Sequence, residues 1–204
     1  MLVGMTTERE ERSRKQRAVD AAIEVIAADG LRGLTHRAVD ARANLPPGST
    51  SSCFRTRLAL LAAVLDRLVE AEQDVLAGIP VTGWSIATPA HVARIADTLT
   101  DLLVHWLGPA RARTRARLEL YLDAARRTEL APELAMANRR FVDRAAEGFR
   151  AVGLPDPEES ARLLLAQLDG LLYDALARPF LGGDDRERLR RSVDVVLRGH
   201  LGQR

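Results

Sequence analysis

The segment LTHRAVDARANLPPGSTSSCFRTR, residues 34–57, decides the reading of this chain. Thr35 is a natural N-cap for a short helix over His36 to Ala43, since its hydroxyl can accept from an otherwise orphaned backbone N–H. Asn44 then stops the helix, because after Gly it is the residue that best tolerates positive φ at a tight corner. Pro47 suits a first helical position and predicts the start of the next helix. Leu45 is the apolar turn residue that locks the pair, and Val39 and Phe54 supply the inner packing. Two short helices joined at a sharp corner form a helix-turn-helix. In that motif the second helix presents its N-terminal residues to base edges in the major groove. The face so presented is Pro47, Gly48, Ser49, Thr50 and Ser52, small side chains whose hydroxyls can bond phosphates or bases. Thr35 and the free amides behind it suit a phosphate. His36 and Arg37 lie on the next turn, Arg57 is placed to clamp a phosphate, and Lys15, with Arg14 and Arg17, can add backbone contacts.

Upstream, Thr7 and Glu10 have capping-box spacing. Val19, Ala22, Ile23, Ile26 and Ala27 recur at helical spacing up to Gly30, a natural terminator. Downstream, Arg57 opens a fourth helix to about Ala77, and residues 78–88 read as a loop. Thr88-Pro89, Gly108-Pro109 and Pro132 punctuate further helices. Asp156 with Glu159, and Asp184 with Glu187, read as capped starts of the last two. The expectation is an all-α chain of about nine helices. Residues 8–66 form a DNA-binding domain and 67–204 a second helical domain.

Composition agrees: 47% hydrophobic, 28% charged and 4% aromatic is ordinary for a globular protein poor in strand formers. Net charge is only +2. Residues 1–60, however, hold ten Lys/Arg against seven Asp/Glu, so the end carrying the motif is the basic one. Cys53 is the only cysteine, which excludes an intrachain disulfide and a cysteine-based zinc site. The apolar run Leu58 to Leu65 is too short to span a bilayer. The first residues are expected not to be a signal peptide, and a cytoplasmic location fits. His36, His91, His105 and His200 lack metalloprotease spacing, and phosphate-loop and nucleophile-elbow patterns are absent. The expectation is a non-enzyme with no cofactor and no metal. Arg111, Arg113, Arg115 and Arg117 alternate by two, which spreads them around a helix rather than along one face.

In helix eight, Leu163, Leu164, Leu165, Leu168, Leu171, Leu172 and Leu176 make more than one face apolar. Leu189, Val193, Val196, Leu197 and Leu201 form a stripe on helix nine. One face can enter the chain's own core and the other needs a partner. The expected dimer contacts are Leu164, Leu168, Leu171, Leu172, Leu189, Val193, Val196 and Leu197, in a twofold four-helix interface.

Residues 12–66 resemble the DNA-binding domain of the TetR (tetracycline-repressor-like) family. The matching elements are A-A-x-x-x-I-A-A-D-G-L-x-G-L-T, then A-x-L-P-x-G-S-T, then F-x-T-R-x-x-L-L. Four positions depart from the family pattern: Asp40 replaces a small apolar residue that faces the recognition helix, Asn44 replaces Gly, and Ser51 and Cys53 replace common aromatic or polar residues. The Asp40 carboxylate needs a partner, with Arg37, Arg55 or a serine as candidates. The resemblance implies a homodimer that binds a palindromic operator in double-stranded DNA, and a repressor released by a small-molecule effector. It also implies a cavity among the later helices, where Trp106, Tyr121, Phe141 and Tyr173 stand with His105 and Gln167. A DNA-binding protein with no effector, or a helical small-molecule carrier, are the alternatives.

Overall fold

The computed structural model describes the backbone of residues 2–125 and 128–202, and the side chains of residues 12–125 and 129–202. Among these residues there are nine α-helices and no strand. They are α1 (Leu2–Gly33), α2 (His36–Arg42), α3 (Ser49–Cys53), α4 (Arg57–Ala77), α5 (Pro89–Leu107), α6 (Arg111–Ala124), α7 (Ala131–Ala151), α8 (Pro157–Ala177) and α9 (Arg186–Leu201). Three short 3-10 turns lie at Val81–Gly83, Thr128–Leu130 and Pro179–Leu181. No helix among the described residues is long and apolar enough to cross a membrane. The chain divides into two compact units. The first is Met1–Glu72 with Ala112–Leu134, and the second is Gln73–Arg111 with Ala135–Arg204.

The first unit has its own core. Val19, Ala22, Ile23 and Ile26 of α1 are buried as their spacing predicts, with Ala18 and Val25 beside them. They meet Val39 of α2, Leu60, Leu61, Val64, Leu65 and Leu68 of α4, and Ala116 and Leu120 of α6. Burying each of the larger aliphatic side chains contributes about 1.5–3 kcal/mol. At Gly30 (φ 68°) α1 is broken but not ended, and helix resumes to Gly33. Thr7 lies inside α1 rather than at its start; its side chain and that of Glu10 fall outside the described ones.

In the second unit α5, α8 and α9 pack on one another, with Phe149 of α7 in the same core. Leu164, Leu168 and Leu172 of α8, and Leu189, Val193 and Leu197 of α9, are buried in that core. Leu171 and Val196 are half-buried against it. Of the expected dimer contacts, Leu164, Leu168, Leu172, Leu189, Val193 and Leu197 are thus covered by the protomer itself, as the hydrophobic effect favours. The apolar side chains that α8 and α9 turn to solvent are Leu163, Tyr173 and, 71% exposed, Val195.

Two helix starts also differ. Asp156 sits at φ 49° and makes no side-chain cap, and Glu159 pairs with Arg162 instead. Asp185, not Asp184, caps α9 by accepting from the Arg188 amide at 2.8 Å.

Candidate DNA-binding site

The corner forms where the sequence places it. Thr35 is the N-cap of α2 and its hydroxyl accepts from the Ala38 amide at 3.1 Å. Asn44 takes a left-handed conformation at φ 50°, and the Leu45 amide donates to the Asp40 carbonyl at 2.9 Å. Arg17 reaches across from α1 and donates to the carbonyls of Ala43 (2.9 Å) and Asn44 (3.2 Å). It therefore braces the corner rather than lying idle in solvent. Leu45 and Phe54 pack against the unit's core.

Helix α3 begins at Ser49, later than the proline predicts. Gly48 is its cap at φ 89°, a conformation that side-chain-bearing residues rarely adopt. Pro47 therefore stands in the turn, exposed, ahead of the helix. A glycine cap offers no side chain for the first amides of α3, and Asp40 supplies what is missing. Its carboxylate accepts from the Gly48 amide (2.8 Å), the Thr50 amide (2.8 Å) and the Thr50 hydroxyl (2.6 Å). Asp40 is 4% exposed and Thr50 fully buried. Burial alone would raise the Asp40 carboxyl. The Thr50 hydroxyl, the Thr50 and Gly48 amides and the electrostatic effect of nearby His36 outweigh it, so the group is held below its ordinary value. The partners of the carboxylate are therefore Thr50 and the Gly48 amide, not Arg37, Arg55 or a serine as the sequence suggests. The i, i+10 relation of Asp40 to Thr50 becomes visible only once the corner is closed.

The remaining expected DNA contacts separate into two sets. Thr35, Arg37, Pro47, Gly48, Ser52 and Lys15 are exposed, and His36 and Ser49 half-buried. These and Ser51 keep solvent access at the corner or, for Lys15, on α1, although the Nε2 atom of His36 is buried. Each serine hydroxyl donates locally: Ser49 to Pro46 (2.7 Å), Ser51 to Gly48 (2.9 Å) and Ser52 to Ser49 (2.7 Å). Their lone pairs stay available, and exchanging such a bond for one to a phosphate costs little. Thr50 and Arg57 belong to the other set. Thr50 faces inward to Asp40, which removes it from the reading face. The Arg57 guanidinium donates to the carbonyls of Leu31 and Leu34, at the end of α1 and just beyond it. The expected phosphate clamp is, in this structure, an internal strut. Those carbonyls lack helical partners and a guanidinium matches them well.

The residues expected around an effector divide between the two units, Tyr121 in the first and the others in the second. Trp106 and Phe141 meet in the second unit, ring centroids 6.1 Å apart. They line a cavity of about 30 Å³ with Trp84, Leu99, Leu102 and Arg144. Tyr121 packs instead on the core of the first unit. Tyr173 is 53% exposed. Gln167 is exposed and bonded to His200 at 2.8 Å. His105 is half-buried, with its Nε2 atom buried and unpartnered. Trp84 lies in the segment read simply as a loop.

A model of the tetracyclin repressor-like C-terminal domain matches residues 90–199. The chain belongs to the TetR family. A TetR-family member from Streptomyces coelicolor A3 is 32% identical, with a TM-score of 0.68 over 90% of this chain and 97% of its own. A transcriptional regulator from Rhodococcus sp. Rha1 is 27% identical, with a TM-score of 0.70 over 92% and 96%. The multidrug binding protein EbrR, solved in complex with proflavin, is 32% identical, with a TM-score of 0.60 over 90% and 99%. No match was found among curated protein sequences. The all-helical architecture is thus that of a TetR-family transcriptional regulator, with the helix-turn-helix in the first unit and the family's C-terminal domain in residues 90–199.

Proposed function

We propose that this chain is a DNA-binding transcriptional repressor, acting in the cytoplasm as a homodimer on a palindromic operator. The observation that carries the reading is the corner itself: α3 is fixed to α2 through Asp40, with Ser49, Ser51, Ser52 and Arg37 left on the outer side. The dimer is formed by the outward faces of α8 and α9, with Leu163, Tyr173 and Val195. A twofold axis then sets two half-sites about 34 Å apart or a multiple of that. Release is by a small molecule that prefers the DNA-incompetent state. EbrR, crystallised with proflavin, with ethidium and with malachite green, supports this last element.

A second reading is favoured by the cavity in the second unit. At about 30 Å³ it is far below the roughly 300–1,000 Å³ of ligand pockets. A regulator that works with no effector would have such a core.

The test is fluorescence anisotropy on DNA from immediately upstream of the chain's own gene, between 50 and 200 mM salt. Affinity is expected to fall by orders of magnitude across that range as phosphate contacts are screened. Absence of any salt-sensitive binding, with the protein folded, would leave a small-molecule carrier as the better account.

A further inference from the structure

The chain has two tryptophans, and both Trp84 and Trp106 stand in the wall of the second unit's cavity. The rest of that wall is aliphatic apart from Phe141 and Arg144, and no carboxylate lines it. Arg144 is already spent. Its Nε donates to the Leu76 carbonyl at 3.1 Å, and its other nitrogens bond the Ile79 carbonyl and, at 2.6 Å, Glu147. These bonds pin the start of the segment that carries Trp84.

The indole itself is wedged against α7. A Cβ on Gly148 would come within 2.4 Å of Trp84 Cε3 and 2.5 Å of Cζ3, so only glycine admits the ring at this distance. The indole atoms nearest that position are Cε3, Cζ3 and Cδ2, so the benzo ring is the part that meets α7. The Nε1 atom is buried and has no hydrogen-bond partner. A buried donor left unpaired is costly, and it rewards any molecule that brings an acceptor.

We infer that the second unit takes a neutral, flat aromatic molecule with an oxygen that accepts from Trp84 Nε1, and that it discriminates against lipophilic cations. The inference rests on the effector reading above and names the chemistry of that effector. A cation in this wall would meet a guanidinium already paired with Glu147 and no free carboxylate, so that only the aromatic faces would offset its desolvation. A cavity of about 30 Å³ cannot enclose a three-ring molecule. The ligand therefore binds a form in which the Ile79–Trp84 segment has swung outward, and its apparent affinity is reduced by the scarcity of that form.

Acridone and proflavin test this on the full chain. Both are three fused rings, one neutral with a carbonyl and one cationic. Tryptophan emission reports on this wall alone, because both indoles stand in it. Acridone is expected to quench saturably and to bind at least about tenfold more tightly than proflavin. Trp84→Phe keeps an aromatic ring and leaves Trp106 as reporter. It is expected to weaken acridone about tenfold, the worth of one good hydrogen bond, and to leave proflavin unchanged. Proflavin binding as tightly as acridone, or no saturable quenching by either, would overturn the inference on the wild-type chain without any variant. Undiminished acridone binding by a folded Trp84→Phe would do so too. Anisotropy on the upstream DNA separates the two readings. Acridone that binds but leaves the DNA bound upholds the ligand chemistry and removes the release mechanism. DNA binding with no quenching by either dye removes the ligand and leaves a regulator without an effector.

Discussion

In the first unit the working face is held by a charge. A buried carboxylate reaches across the corner and satisfies two amides and a hydroxyl of α3. In the second unit the cavity wall is mostly apolar contact, pinned at one end by Arg144 on the Leu76 and Ile79 carbonyls, with the Trp84 N–H left unsatisfied in an almost filled core. The difference teaches where each can change. A fully bonded polar lock has one geometry and costs several bonds to open. An apolar wall around a small void can be repacked, because its contacts are non-directional. The face proposed to meet DNA has the lock, and the region proposed to admit a ligand has the looser wall.

The largest effect that breaks this comparison comes from a charge in the apolar unit. Leu168→Asp places a carboxylate at a position 2% exposed, among Leu164, Leu172 and Leu197. We expect a loss of about 4 kcal/mol or more, seen as collapse of the thermal transition. Val195→Asp, on the outward face of α9, is expected to leave that transition within about 0.5 kcal/mol. If the proposed interface is right, sedimentation will show it as a folded monomer. A folded monomer from Leu168→Asp would restore that leucine to the interface and refute its placement in the core.

Next is the lock itself. Asp40→Ala strands the Thr50 hydroxyl and two amides, and should cost about 2–4 kcal/mol together with most of the operator affinity. The contribution also depends on pH. The folded-state pKa of Asp40 is below its ordinary value of 3.8. Its stabilisation is therefore complete above about that pH and is lost as pH falls through the lower folded value. Urea midpoints of wild type and Asp40→Ala are accordingly expected to differ at pH 7 and to converge in strong acid. A gap that persists undiminished below pH 3 would mean that the carboxylate's charge is not what holds α3.

Arg57→Ala is expected to cost about 1–3 kcal/mol through the orphaned carbonyls of Leu31 and Leu34. It should leave the slope of log affinity against log salt unchanged, since a guanidinium engaged with backbone releases no counterion. A slope shallower by about one would return Arg57 to the phosphate contacts.

How much of this was legible beforehand follows a physical rule. The α2–α3 corner was readable because local chemistry makes it: Thr35 caps within its own turn, and Asn44 bends the chain by its own φ preference. Partnerships fixed by tertiary closure were not readable. Asp40 with Thr50 and Arg57 with the end of α1 are such pairs, as are the placement of Trp84 against Gly148 and the assignment of the α8 stripe to the core. For α8, periodicity marks an apolar face but is silent on which neighbour covers it, because core and interface bury the same side chains. Even among caps the register slipped where two acidic residues adjoin, Asp184 and Asp185, since either carboxylate can reach an amide three residues on.

The smallest effect sharpens the local side of the comparison, at Asn44. Its φ of 50° costs an ordinary L residue roughly 1–2 kcal/mol, and Asn less, because its short side chain can bond locally. Glycine would remove that strain, but its unfolded chain has more freedom to lose, about 0.4–1 kcal/mol. The two nearly cancel. Asn44→Gly should therefore sit within about 0.5 kcal/mol of wild type and bind the same DNA with the same affinity. Asn44→Ala has neither the tolerance of Asn nor the freedom of Gly, and is expected to lose about 1 kcal/mol. Urea denaturation of the three resolves the order, Gly beside Asn and Ala below. If Ala matched Asn, the corner would be held entirely by Arg17 on the Ala43 and Asn44 carbonyls and by Leu45 in the core. The residue at the turn would then matter only for its length.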